Sequence, residues 1–278
     1  MSVKIIVDST VDLTPEQRAQ MTAVVPLSVR FGDEEYKDGE TITAQEFYEK
    51  LAACQELPTT SQPTLAAFEE AYAAATADGS EVVVITIASK LSGTYQSATI
   101  AAEEYEGKVF VCDSRNAAIG AGVLAQYALQ LAQQGWTGQQ ILEELMAIRS
   151  KIHLYAIVDT LEYLKKGGRL NAAVAAVGGM LNIKPLIYVT ESGEIKVHGM
   201  VRGMKKAFAT MTELSRNDGI DEEKPVLLGY TGTSDDNLQK YLAEYAEAWP
   251  QGTSTTHVGS TIGVHVGPGV VACAFFQK

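Results

Sequence analysis

Residues 82–98 read VVVITIASKLSGTYQSA, and this stretch decides the fold. Its first seven residues are almost entirely apolar, as expected for a strand of a parallel sheet that is covered on both faces. The chain then passes through Ser92, Gly93 and Thr94 into a segment with helical spacing. A buried strand followed directly by a helix is the repeating unit of α/β layers.

The first 150 residues repeat this alternation. Further strands are predicted at 3–7 and 108–112, and helices at 65–77, at 94–104, up to residue 134, and around 141–152. We therefore predict a three-layer α/β N-terminal domain, residues 1–150, in which helices cover a mainly parallel sheet and the crossovers are right-handed.

The pattern changes near residue 150. Two adjacent strands, 183–190 and 194–198, are joined by Glu191-Ser192-Gly193, which predicts a hairpin. The remaining predicted elements are strands at 154–160 and 225–230, helices at 202–215 and 235–249, and two final strands. Residues 151–278 are thus expected to form a C-terminal α+β domain with a mixed sheet, with no low-complexity linker before it.

The composition excludes several function classes. The 278 residues carry a net charge of −12, which argues against nucleic acid or an anionic membrane as the main partner. Apolar runs reach about seven residues, far below the roughly 20 of a membrane span, and the N-terminus shows no secretory pattern. The three cysteines have no disulfide or metal spacing and are expected to be buried thiols in a reducing cytoplasm. No phosphate-binding loop, dinucleotide fingerprint or metal motif appears, so no cofactor is expected.

Two hydroxyl-bearing loops precede segments with helical spacing. They are Thr60-Ser61-Gln62-Pro63 and the loop that contains Ser92. A helix N-terminus offers free N–H groups and a partial positive charge, so it favours an anion. These loops therefore suggest a pocket for an acidic head group, although a capped loop would also explain them.

Ser92 has a third interpretation, because it follows an apolar strand and precedes a helix as the serine of a nucleophile elbow does. With His265 and one of several aspartates it could form the triad of a small-molecule ester hydrolase. The elbow requires a glycine two residues before the serine, however, and Lys90 occupies that position.

His265 lies among glycines, between the last two predicted strands. It is either a structural residue or a group that binds an oxyanion or moves a proton. The densest basic content of this acidic chain includes Arg169 and Arg202, with the lysines at 165, 166, 205 and 206. Lys165 and Lys166 are explained by a helix end, whereas Arg169 and Arg202 could face a phosphate-bearing partner or ligand.

Seven motifs, in order along the chain, resemble the DegV family. They are DST at 8–10, TSQP at 60–63, SGTYQSA at 92–98, DS at 113–114, LKKGGR at 164–169, LNIKP at 181–185 and HVGPG at 265–269. Each is weak alone, but together they cover essentially the whole chain.

The resemblance implies a protein without catalytic activity of its own that binds a long-chain fatty acid, such as palmitate, in a buried tunnel between two domains. Carried over by motif, Thr60 and Ser92 would hold the carboxylate, Ser61 would lie beside Thr60, and His265 would complete the polar network. Family members present the acyl chain to a separate fatty-acid kinase, and Arg169 and Arg202 match positions implicated in that encounter.

Overall fold

The computed structural model describes residues 2–170 and 182–278. The strands in chain order are β1 (Val3–Asp8), β2 (Ala23–Val25), β3 (Ser28–Phe31), β4 (Glu34–Lys37), β5 (Thr59–Ser61), β6 (Glu81–Thr86), β7 (Val109–Asp113), β8 (Ile152–Ile157), β9 (Ile183–Val189), β10 (Ile195–Arg202), β11 (Leu227–Tyr230), β12 (Ser254–His257) and β13 (Val271–Phe276). The helices are α1 (Pro15–Arg18), α2 (Ala44–Ala53), α3 (Leu65–Thr76), α4 (Thr94–Ala102), α5 (Ala118–Gln133), α6 (Gly138–Ile148), α7 (Glu162–Lys166), α8 (Met204–Asp218), α9 (Asp236–Tyr245) and α10 (Ser260–Val266).

The first half contains a four-stranded sheet in the order β2-β1-β6-β7, and every neighbouring pair is parallel. Alternate residues of β6 point to opposite faces, as in any strand. Val82 and Val84 pack with α3 and α4, while Val83 and Ile85 pack with α5 and α6. The predicted three-layer arrangement is confirmed, and it explains why the strand is apolar throughout.

The second half contains a six-stranded sheet in the order β10-β9-β8-β13-β11-β12. All neighbours are antiparallel except β11 and β12, so the sheet is mixed, as predicted. One face packs against α8 and α9. The other face packs against α5, which also contacts β1 and β6 of the first sheet. Helix α5 is therefore buried between the two sheets, and one apolar cluster runs across residue 150.

A small antiparallel sheet, β4-β3-β5, was not expected from the sequence. It includes Thr60 and Ser61, which were expected in a loop and instead belong to the edge strand β5. Helix α3 begins at Leu65, as predicted, and its N-terminal cap is Thr64, whose Oγ1 accepts from the Ala67 N–H at 3.2 Å. Helices α2 and α10 pack on this sheet through a separate apolar cluster.

Other expectations are also corrected. Arg202 does not open a helix but is the last residue of β10, and α8 begins at Met204. Cys112 and Cys273 are buried, as expected, whereas Cys54 at the end of α2 is only half-buried. Leu181, the first residue of the LNIKP motif, lies outside the described residues. Among residues 2–170 and 182–278, none of the helices combines the length and apolar character needed to cross a membrane.

Candidate functional site

A mostly apolar cavity lies between the six-stranded sheet and the start of α5. The empty space among its side chains is about 840 Å³, part of which opens to solvent. On the sheet side it is lined by Leu154 and Ala156 of β8, Ile187 and Val189 of β9, and Ala272 of β13. Facing alanines on neighbouring strands (Ala156 pairs with Ala272) leave the space that larger side chains would fill.

Helix α10 forms one wall of this cavity. Four of its residues, Thr261, Ile262, His265 and Val266, line the cavity, and Val258 lines it just before the helix begins. Because positions three and four residues apart share a helix face, the whole length of α10 follows the cavity. The sequence placed His265 in a glycine-rich loop, and the structure corrects this: His265 lies in the last turn of α10.

The polar residues meet at one end of the cavity. The Oγ1 atom of Thr60 lies 3.0 Å from Nε2 of His265, and Ser92 and Arg169 line the same cavity. Thr60 pairs with Val29 at the edge of the small sheet, whereas Ser92 lies between β6 and α4. The structure thus brings together four residues that are separated by up to 205 positions in the chain.

His265 is neutral at physiological pH. Burial, together with the smaller effect of the nearby Arg169 guanidinium, lowers its pKa to about 4. Among the described residues, its Nδ1 has no hydrogen-bond partner. Gly167 packs directly against this nitrogen, so that a Cβ at position 167 would overlap it. The imidazole is therefore fixed between α7 and Thr60.

Two carboxylates from the first half hold the N-terminus of α10, and sequence reasoning did not single them out. Asp12 Oδ1 accepts from the Gly259 N–H at 2.7 Å, and Asp38 accepts from the N–H groups of Ser260 and Thr261 at 3.0 and 3.1 Å. A side-chain cap of its own is absent from this helix, and carboxylates are favoured there by the free N–H groups and the helix dipole. Because these residues are far apart in the chain, no local sequence pattern predicts their contacts.

Ser92 is positioned by a short turn before α4. Its Oγ accepts from the Thr94 N–H at 3.3 Å and lies 2.8 Å from Thr94 Oγ1. Gln62, which follows β5, covers Gly93 and donates to Ser97 Oγ at 2.8 Å. Any side chain at Gly93 would overlap the Gln62 amide. The two hydroxyl-bearing loops are thereby joined, which fixes Thr60 relative to Ser92.

Arg169 and Arg202 occupy different environments. Arg169 is half-buried and donates from Nε to the Leu91 carbonyl at 3.0 Å and from Nη1 to the Gly167 carbonyl at 2.7 Å. Arg202 is exposed at the end of β10. Ser61 is exposed as well, because neighbouring residues of a strand point to opposite faces. The structure therefore places Ser61 next to Thr60 in β5 but outside the cavity lining.

The arrangement does not form a serine-histidine-aspartate triad. Nε2 of His265 is bonded to Thr60, and no hydrogen bond joins His265 to Ser92 in the part of the chain that the structure describes. No described carboxylate orients the imidazole through Nδ1. A triad requires both interactions, so the geometry disfavours the ester hydrolase.

Comparison with known proteins agrees with the motifs. Residues 2–278 match the family described as "Uncharacterised protein, DegV family". The chain belongs to the DegV family. A DegV domain-containing protein of Deinococcus radiodurans is 36% identical, with 99% of this chain and 98% of the relative covered.

Solved DegV structures are similar over the full length. One is a DegV family protein from Thermus thermophilus whose structure is described as showing fatty-acid binding. Its TM-score is 0.89 at 32% identity, with 100% of each chain covered. A protein from Eubacterium ventriosum, described as binding stearic acid, has a TM-score of 0.84 at 26% identity, with 99% of this chain and 98% of that chain covered. The fold of this chain is the DegV fold.

Proposed function

We propose that this protein binds a long-chain fatty acid such as palmitate in the cavity, with the carboxylate at the end formed by Thr60, Ser92 and His265. The observation that carries the proposal is one cavity with a mostly apolar lining, into which the bonded pair Thr60 and His265 also faces. A similar DegV family protein from Thermus thermophilus is described by its fatty-acid binding and a similar protein from Eubacterium ventriosum as binding stearic acid, which supports the same ligand class.

The apolar walls account for affinity. Burial of one methylene contributes about 0.8 kcal/mol, so a 16-carbon chain offers on the order of 10 kcal/mol before the costs of association. The head group therefore needs orientation more than additional affinity, and a few hydrogen bonds provide it.

The neutral state of His265 sets the direction of those hydrogen bonds. A buried N–H without an acceptor is costly, so the proton belongs on Nε2 and not on the unpartnered Nδ1. Nε2–H then donates to Thr60 Oγ1. The Thr60 hydroxyl is left to donate its own hydrogen into the cavity, where a carboxylate oxygen accepts it.

Arg169 changes role in this proposal. Because it lines the cavity, we assign it to the positive potential around the head group and to holding the Leu91 carbonyl beside Ser92. Arg202 is exposed and stays a candidate contact for a fatty-acid kinase. Such a kinase would transfer a phosphoryl group to the carboxylate and form an acyl phosphate, and neutral hydroxyls release a carboxylate more readily than a buried ion pair. A cytoplasmic location is part of the same proposal.

The decisive experiment is organic extraction of the purified protein followed by mass spectrometry, and then palmitate titration of the delipidated protein. We expect a co-purified long-chain fatty acid, and weaker palmitate binding by Thr60→Val. Ser61→Ala is the matched control, since this neighbouring hydroxyl is exposed. The absence of palmitate binding by the folded, delipidated protein would refute the proposal.

A further inference from the structure

The cavity contains a second polar position, Thr261, which the head-group site does not use. Thr261 lies on the cavity-facing side of α10, and its side chain is only 3% exposed. Its Oγ1 has no hydrogen-bond partner among the described residues. A buried hydroxyl without a partner is destabilising, so its presence on an otherwise apolar wall requires a reason.

The neighbouring groups do not supply a partner. The Asp38 carboxylate already accepts from the Ser9 hydroxyl and from the backbone N–H groups of Ser260 and Thr261 itself. Thr231, another threonine that lines the cavity, differs in this respect: its Oγ1 donates to the Gly267 carbonyl at 2.8 Å and accepts from the Val270 N–H at 2.9 Å. Thr231 is thus explained by the fold, and Thr261 is not.

The position of Thr261 relative to His265 defines what it could recognise. The two residues are four apart on α10, which places them on one face about 6 Å apart along the axis. Helix α7 covers the C-terminal end of α10, because Gly267 packs on Tyr163 and Gly167 packs on His265. A ligand whose carboxylate lies beside His265 therefore passes Thr261 on its way along the helix.

An extended chain of single bonds advances about 1.2 Å per bond, since three backbone bonds of an extended residue span up to about 3.6 Å. A distance of about 6 Å, with a hydrogen bond at each end, places Thr261 beside roughly the third to fifth carbon. We propose that Thr261 recognises a hydroxyl group on this proximal part of the chain, so that the ligands include fatty acids hydroxylated near the carboxylate. This inference rests on the proposed function, since it takes the carboxylate position from it.

The test compares hexadecanoate with 3-hydroxy- and 5-hydroxyhexadecanoate on the delipidated protein, with 16-hydroxyhexadecanoate as the positional control. We expect at least one proximal hydroxy acid to bind the parent protein as tightly as hexadecanoate, with a preference for one enantiomer. In Thr261→Val the affinity for this acid should fall roughly fivefold relative to the affinity for hexadecanoate, which is the effect of one hydrogen bond. Thr261→Ser keeps the hydroxyl and should therefore retain most of the affinity for the hydroxy acid relative to hexadecanoate.

The outcomes separate this inference from the proposed function. If hexadecanoate binds but the ratios between ligands are the same in Thr261→Val, the recognition of a hydroxyl is wrong and the fatty-acid site stands. If Thr261→Val weakens the binding of all ligands equally, Thr261 acts through packing alone, and the inference is also overturned. If the hydroxy acid binds and hexadecanoate does not, the recognition of a hydroxyl is supported and the proposed binding of palmitate is refuted. If neither binds, both proposals fail.

Discussion

The buried imidazole of His265 makes the stability of the protein depend on pH in a defined way. Its pKa is lowered from 6.5 to about 4 in the folded protein, mainly by burial. As the pH falls below 6.5, the unfolded chain takes up a proton at this position before the folded protein does. Stability from this group is therefore fully present above about pH 6.5 and is lost as the pH falls toward 4.

The magnitude follows from the same two values. One pKa unit corresponds to about 1.4 kcal/mol, so the full effect is on the order of 3 kcal/mol. Between pH 7 and pH 5, linkage gives a loss of about 2 kcal/mol in the free energy of unfolding. The comparison variant is His265→Gln, which does not titrate and keeps an N–H donor for Thr60.

Urea denaturation of the delipidated parent and of His265→Gln at both pH values measures this difference. Carboxyl groups such as Asp8, whose pKa burial raises to about 6, titrate in both proteins and cancel in the comparison. We expect the parent to lose about 2 kcal/mol more than the variant between pH 7 and pH 5. If the two proteins lose the same free energy of unfolding within about 0.5 kcal/mol, the margin within which independent effects add, the assignment of a neutral, buried imidazole to His265 is wrong.

The remaining predictions concern the head group, the docking surface and the packing of α10. Thr60→Val and Ser92→Ala should each weaken palmitate binding by roughly 10-fold or more, the value of a hydrogen bond to a charged group, with little change in Tm; unchanged affinity measured by fluorescence titration contradicts the assignment. Arg202→Ala should leave palmitate affinity unchanged but slow acyl-phosphate formation by a fatty-acid kinase, whereas a loss of affinity would place it in the binding site. Gly167→Ala should displace the imidazole, because a Cβ there overlaps Nδ1; a retained His265 pKa near 4, measured by NMR, would show that the helices adjust instead.

Local sequence signals were sufficient for the layers of the fold. The apolar run of β6 predicts a covered parallel strand, and the hairpin residues at 191–193 predict the change to antiparallel pairing. The small sheet was missed because β3, β4 and β5 have at most four residues each. Strands this short carry little periodicity, and they form through pairing with each other and packing against α2 and α10.

The site was predicted in part, and its errors have one cause. The motif resemblance names Thr60, Ser92 and His265, and these residues line one cavity. It also names Ser61, which a two-residue strand period turns away from the cavity. Arg169 was expected at a partner surface, and the chain reversal after α7 brings it under Leu91 instead. Side-chain direction depends on tertiary context, and a linear motif does not record it.

The way α10 is held explains why a binding site needs both halves of the chain. The helix belongs to the second half by sequence, but its N-terminus is bound by Asp12 and Asp38 of the first half. Its side chain at Val264 packs into the cluster of the small sheet, which also carries Thr60. The 3.0 Å contact between His265, at the other end of the helix, and Thr60 therefore depends on the hydrogen bonds that bind α10 to the first half. A ligand carboxylate that bonds to Thr60, Ser92 and His265 adds interactions to elements from both halves, so binding should also stabilise the contact between them.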